Sequence, residues 1–433
     1  MKFGRSLGFL AALVSALCIG GLLSVAVTSK SFSESYPAVV CPPTLAGLTS
    51  QISLASKKTP FQRLQNRTTK TAPVKVLRLP VNKDSLLFSS DGVTPVVWQS
   101  KSSSWAGGAL CTGPATSQWF VGGTADITTR GRLIIVNSGL SDAIVDVQSF
   151  TENGKQPVRT ISVVSKDYLV IPIDSLAPGD KYLTVHVAPR SGRINAFMID
   201  EQSTGLKSLG GDLINFAPNA SKSVLIPAIP NQITNNSALP HTLRVLTPGE
   251  VDANVTAEVL SSDGVFVPVG LTSRAVSAGI VTEFQFTPKI SSTVLAVRIT
   301  STEPVLAAIK STVTVSGRKD FLWSTSAPAL TPLTIAISGL TPLISFVGER
   351  INVSLDVTLN NGKVIRKTIK GTDIASWRAP DAARSFTITK VGPDTFAGAL
   401  VSSVNGYGYF PIAPGSLLTK IELPDSNIRV LNP

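Results

Sequence analysis

Two stretches of this chain repeat the same local pattern a fixed distance apart. Asp142-Ala143-Ile144-Val145-Asp146-Val147 runs into Glu152-Asn153-Gly154, and Asp252-Ala253-Asn254-Val255-Thr256-Ala257-Glu258-Val259 runs into Ser262-Asp263-Gly264; the two glycines are 110 residues apart. A third stretch, Arg350-Ile351-Asn352-Val353-Ser354-Leu355-Asp356-Val357-Thr358-Leu359, ends in Asn360-Asn361-Gly362. Alternation of apolar and polar residues is the period of a half-buried strand, and Asn-Gly or Asp-Gly accepts the positive φ angles of a tight type I′ turn. Three such hairpins in equivalent places predict three related β domains.

The surrounding sequence agrees. In the first copy Leu133 to Val136, Thr160 to Val164, Tyr168 to Ile173, Tyr182 to Val187 and Ile194 to Ile199 are strand-like runs separated by turn residues. Thr242 to Leu246, Ile280 to Phe286, Val294 to Thr300 and Val305 to Val315 take similar parts in the second. Nothing between Trp119 and Pro433 carries the 3.6-residue period of an amphipathic helix. The expected fold class is therefore all-β: tandem immunoglobulin-like sandwiches at 119–215, 216–328 and 329–433. Before them, residues 31–118 are expected to be a basic spacer plus strands packing on the first sandwich.

Residues 1–30 set the compartment. Lys2 and Arg5 precede an uncharged apolar run from Leu7 to Val27, long enough to cross a hydrocarbon core as a helix, and the charge bias favours a cytoplasmic N-terminus. The expectation is a single-pass anchor with the bulk of the chain outside the cytoplasm; the alternative is a cleaved signal peptide and a secreted protein. Cys18 lies in this run, which leaves Cys41 and Cys111 in the exported part. An even pair in an oxidising compartment points to one disulfide closing a loop of about 70 residues, against the alternative of two buried thiols.

The net charge of +12 does not make the chain a nucleic-acid binder. Much of it lies between Lys57 and Lys83, where Phe61 is the sole aromatic, so stacking platforms are missing. Lys57, Lys58, Arg63, Arg67 and Lys70 are candidate contacts for anionic wall polymers, with a solvated spacer as the alternative. The membrane through residues 7–27, glycans and another envelope protein are the other partners to consider.

Four features together resemble an uncharacterised family of secreted, β-rich actinobacterial proteins known as a domain of unknown function. They are the apolar segment followed by Val40-Cys41-Pro42-Pro43, Cys111 with Trp119-Phe120-Val121-Gly122-Gly123, the stretch Leu133 to Asp142, and the Asp252-Ala253 hairpin. The resemblance covers most of residues 37–330. It implies an extracytoplasmic location and no known activity, so no catalytic residue is carried over.

The chemistry-bearing residues are sparse. His186 is expected to face solvent from a strand, and His241 follows Pro240 at a turn; neither has a nucleophile or acid near it in sequence. Two cysteines and two histidines in separate segments supply no metal cluster, and no cofactor is implied. Asp200-Glu201 is the closest carboxylate pair, but neighbours on a strand point to opposite faces. Acids from different strands could still meet in space. Trp98, Trp105, Trp119, Tyr407 and Tyr409 are the candidate ligand-facing aromatics, since rings on a sandwich can stack on sugars. The reading is a non-enzymatic structural or interaction module of a cell envelope. A carbohydrate or wall-polymer binder is the alternative, and an envelope hydrolase a third class.

Overall fold

The computed structural model describes residues 37–56, 58–66, 68–72, 77–89, 92–102, 104–234 and 237–416. The apolar run Leu7 to Val27, Lys57 and Arg67 lie outside the described residues. Within them the chain is all-β, apart from one 3-10 turn at Ile173–Ser175, and no helix is long and apolar enough to cross a membrane.

In the first repeat two antiparallel sheets share one core. The first has the strand order Asp167–Pro172, Arg132–Asn137, Ile194–Thr204, Lys207–Ile214. The second runs Gly154–Lys155, Ala143–Thr151, Thr184–Pro189, Gln118–Val121, with Arg159–Val163 also on Ala143–Thr151. Alternation assigns the faces. Leu133 and Ile135 meet Val145, Val147, Val185 and Val187 in that core, while Ile134 and Val136 turn outward and pack with Val39, Phe88 and Trp105 of the N-terminal segment. The run Leu133 to Val136 is uninterruptedly apolar because both of its faces are covered.

The second repeat reproduces this topology strand for strand. One sheet orders Val281–Phe286, His241–Leu246, the C-terminal half of Val294–Val315, and Arg318–Thr325. The other joins Gly264–Phe266 and Arg274–Val276 to Ala253–Ser261, then the N-terminal half of Val294–Val315, then Ser221–Pro230. A single 22-residue strand thus does the work of Thr184–Pro189 and Ile194–Thr204 in the first repeat. It crosses between sheets near Ser301 to Val305, the last residues paired to one and the first before the other.

The repeated turns form where the sequence places them, with a different geometry. Positive φ falls on Gly154 (103°), Gly264 (127°) and Gly362 (85°), and on none of the residues directly before them. That is the arrangement of a turn closed by a left-handed bulge glycine, instead of type I′. In the first two, a hydroxyl three residues earlier holds the loop. Thr151 Oγ1 accepts from Asn153 N at 3.1 Å and donates to Gly154 O at 3.3 Å; Ser261 Oγ does the same for Asp263 N and Gly264 O at 3.2 and 3.1 Å. The matching third instance is Ser403-Val404-Asn405-Gly406, where Ser403 Oγ bonds Asn405 N and Gly406 O.

The last third is built differently. Leu343–Leu359 pairs along its length with Val364–Arg378 and also with Ala383–Lys390 and Phe396–Ser402, which pairs with Tyr407–Pro411. Leu333–Ala336 then runs parallel to Val93–Lys101, and through it Trp105–Leu110, Thr49–Ser53 and Arg78–Val81 join the same sheet. Residues before 118 therefore pack against the first repeat and also extend the C-terminal sheet. Among the described residues of their basic stretch, Pro60–Arg63 and Lys70–Thr71 form a small sheet with Pro37–Cys41 and Leu86–Ser89, while Lys58 and Lys70 are exposed and Arg63 is partly so.

The N-terminal strands, the first repeat and the C-terminal sheet meet at Trp105–Leu110. A Cβ at Gly107 would lie 2.5 Å from Leu213 N, and one at Gly408 would lie 2.5 Å from Gly108 N, so only glycine permits these backbones to approach. The buried Asn215 fastens the contact. Its Oδ1 accepts from Leu110 N at 3.2 Å, and its Nδ2 donates to Gly108 O at 3.0 Å and Tyr409 O at 2.7 Å.

Candidate functional site

The densest group of charged side chains lies where the two repeats meet. Leu243 and Val245 point into the second repeat's own core, so Arg244 between them points the other way, toward the first repeat. Its register partner across the ladder is Glu283. Arg244 Nε and Nη2 donate to Glu283 Oε1 at 2.8 and 2.6 Å, and Nη1 donates to the carbonyls of Gly123 (2.6 Å) and Leu183 (2.8 Å). The guanidinium carbon sits 4.7 Å from the Trp323 ring and 5.6 Å from that of Tyr182. Beside it, Lys310 Nζ lies 4.1 Å over Phe321, and burial lowers its pKa from the ordinary value.

Three carboxyls complete the junction. Lys207–Ile214 and Arg318–Thr325 are the edge strands of consecutive repeats, and acids stitch them together where a backbone ladder would otherwise be open. Asp320 Oδ1 accepts from Gly211 N at 3.0 Å and Phe321 N at 2.8 Å, and Asp212 Oδ2 accepts from Trp323 N at 2.8 Å. Asp200 Oδ2 accepts from Trp323 Nε1 at 2.8 Å. Burial pushes Asp212 well above the usual carboxylate range and Asp320 up to about 7. A carboxyl that keeps its proton near neutrality is the profile of a general acid, yet these acids are enclosed between the strands they join and act as acceptors for backbone N–H groups. Among the described residues no three His, Cys, Asp or Glu side chains converge as a metal site.

His186 lies on the strand face the sequence assigns it, opposite Val185 and Val187, but both histidines are more enclosed than expected. His186 is only partly exposed: it stacks on its cross-strand partner Trp119 with ring centroids 3.9 Å apart, and its Nε2 meets Ser117 Oγ at 2.9 Å. Its pKa is lowered by burial and then by Lys155. His241 begins a strand instead of lying in a turn, is fully buried, stacks on Phe286 and pairs Nδ1 with Ser311 Oγ at 2.9 Å. Asp200 and Glu201 do face opposite sides of their strand, Glu201 pairing with Lys101.

Several expected aromatics are also core. Trp98, Trp105 and Tyr409 are buried and present no ring to solvent, because the N-terminal strands, the first repeat and the C-terminal hairpin close over them. Tyr409 donates its hydroxyl proton to Thr325 O at 2.7 Å. Trp119 and Tyr407 remain partly exposed. Cys41 and Cys111 form the expected disulfide.

His241 and Asp320 respond to pH in opposite senses. Burial lowers His241 from 6.5 to about 4, so its contribution is fully present above pH 6.5 and is lost as pH falls through 4, up to about 3 kcal/mol. Asp320 is raised instead, so its contribution is present below its ordinary value of 3.8 and lost as pH rises through about 7. Urea unfolding across this range should show the gap between wild type and His241→Phe shrinking toward pH 4, and the gap to Asp320→Asn shrinking toward pH 7. Gaps that stay constant with pH would refute both assignments.

The profile of a family of unknown function, DUF5719, matches residues 99–367, a span that begins in Val93–Lys101 and takes in both repeats. No curated protein matches the chain. One solved structure, described as the crystal structure of Thermotoga maritima 1070, is 15% identical and covers 25% of this chain and 95% of its own length, with a TM-score of 0.16, too low to support any argument.

Proposed function

Because the chain belongs to the DUF5719 family of unknown function, its role is read from its own architecture, and we propose that it is an extracytoplasmic, membrane-anchored structural module of the cell envelope. In this reading residues 7–27 hold it in the membrane, and the two repeats are immunoglobulin-like sandwiches in series with a C-terminal β unit. The observation that carries it is the use made of charged and aromatic groups: Arg244, with Glu283 bonded to it, Asp212, Asp320, Trp323 and Tyr409 are all committed to joints between units. Joints of this kind make one rigid body. The disulfide favours an oxidising compartment.

Protease added to intact protoplasts expressing the full chain should remove the β body, and the remaining N-terminal peptide should sediment with membranes. Free thiols at both Cys41 and Cys111 in cells, with a body that resists external protease, would place the protein in the cytoplasm and end this reading. The module acts by holding position and not by turnover. Hydrolysis of a wall polymer that vanishes with Asp320→Asn would replace it with an enzyme.

A further inference from the structure

Between the second repeat and the C-terminal sheet lies an open cleft of about 520 Å³, within the roughly 300–1,000 Å³ typical of small-molecule sites. We propose that it binds a carboxylate-bearing sugar. One wall is the end of the Ser221–Pro230 strand and the residues after it; the other is the face of the C-terminal sheet. On that face Leu343 pairs in register with Arg378 on one side and Leu400 on the other, so the guanidinium is mounted on a rigid ladder above an apolar floor.

The charge balance selects the ligand. Arg378 is exposed, none of the residues lining the cleft is acidic, and no ion pair engages it among the described residues. One unneutralised guanidinium fits one carboxylate, which it can grip through two parallel N–H bonds. The remaining polar groups suit hydroxyls. Gln232 is locked in place by Thr314, its Oε1 accepting from Thr314 N at 2.7 Å, and its Nε2 donates to Tyr407 Oη at 2.8 Å. The Tyr407 hydroxyl therefore accepts from inside the wall and keeps its own proton to donate. Asn231, 3% exposed, donates through Nδ2 to Ser292 O at 2.8 Å and so fixes the base of this wall. A hydroxyl with a proton to give, an aromatic edge and a single cation match an acidic sugar ring better than an apolar molecule or a polyphosphate. Sugar binding and the structural role are independent: the protease test decides one and the titration below the other.

The experiment is calorimetric titration of the detergent-solubilised full chain with glucuronic acid and N-acetylmuramic acid, each against uncharged N-acetylglucosamine. The acidic sugars should bind and the neutral one should bind at least about tenfold more weakly. Arg378→Gln should abolish that preference, and Tyr407→Phe should weaken binding of the acidic sugars; both sites are on the surface side of the sheet, and an unchanged melting temperature verifies folding. Equal binding of charged and neutral sugars, acidic-sugar binding that survives Arg378→Gln, or no heat from either acid at about 10 mM would each overturn the proposal.

Discussion

Arg244→Ala is expected to destabilise the protein by about 3–5 kcal/mol, as removal of one partner from a buried ion pair does. The guanidinium is 3% exposed and its partner Glu283 15%. Truncation leaves the Glu283 carboxylate without its bonded partner, removes the cation from beside the Trp323 and Tyr182 rings, and strips donors from the carbonyls of Gly123 and Leu183, which belong to the other repeat. The loss therefore falls on the joint between repeats as well as on the second repeat. Urea denaturation of the purified chain measures it. Adding Glu283→Gln to Arg244→Ala should recover part of the loss, because the unpaired charge is then gone. A change below about 1 kcal/mol in the single variant would mean that water reaches the pair and that the joint is looser than its geometry implies.

Breaking the Cys41–Cys111 bond should lower stability by on the order of 4 kcal/mol, the chain-entropy value for a closed loop of this size; the two residues are 70 apart in sequence. The bond has local support, since Val40 and Thr112 exchange backbone hydrogen bonds of 2.8 and 3.0 Å beside it. Through it the strand Pro37–Cys41 is fastened to the residue that follows Trp105–Leu110, the strand shared by the first repeat and the C-terminal sheet. Thermal melts with and without reductant, and of Cys41→Ala, should shift together. Identical melting of oxidised and reduced protein would show that the loop is held by packing alone, and alkylation of both thiols without prior reduction would show that the bond does not form.

What the sequence determined is what neighbours in the chain decide. Gly154, Gly264 and Gly362 mark their hairpins because a positive φ is a requirement of the residue itself. Alternation along Asp142 to Val147 and Asp252 to Val259 announces strands because each residue's face follows from its parity. The disulfide was legible by count, two cysteines remaining outside the apolar segment. The Ser403 turn escaped the sequence reading: it repeats the spacing of Thr151 and Ser261 with Gly154 and Gly264, but its flanking strands lack the Asp-Ala opening.

Only the tertiary structure decided which faces are covered. Trp105 and Tyr409 look like surface aromatics until strands from three regions close over them, and His241 looks like a turn residue until Phe286 packs against its ring. The junction of Asp200, Asp212, Asp320, Arg244 and Lys310 left no trace in spacing. Its members sit on separate strands up to 120 residues apart, and the pKa values of Asp212, Asp320 and Lys310 move because of what buries them and not because of what precedes them. The pairing of Leu333–Ala336 with Val93–Lys101 is of the same kind. Parity tells a strand which way its side chains point, but an edge takes whatever partner the rest of the chain brings to it, and that choice is made by burial over the whole fold.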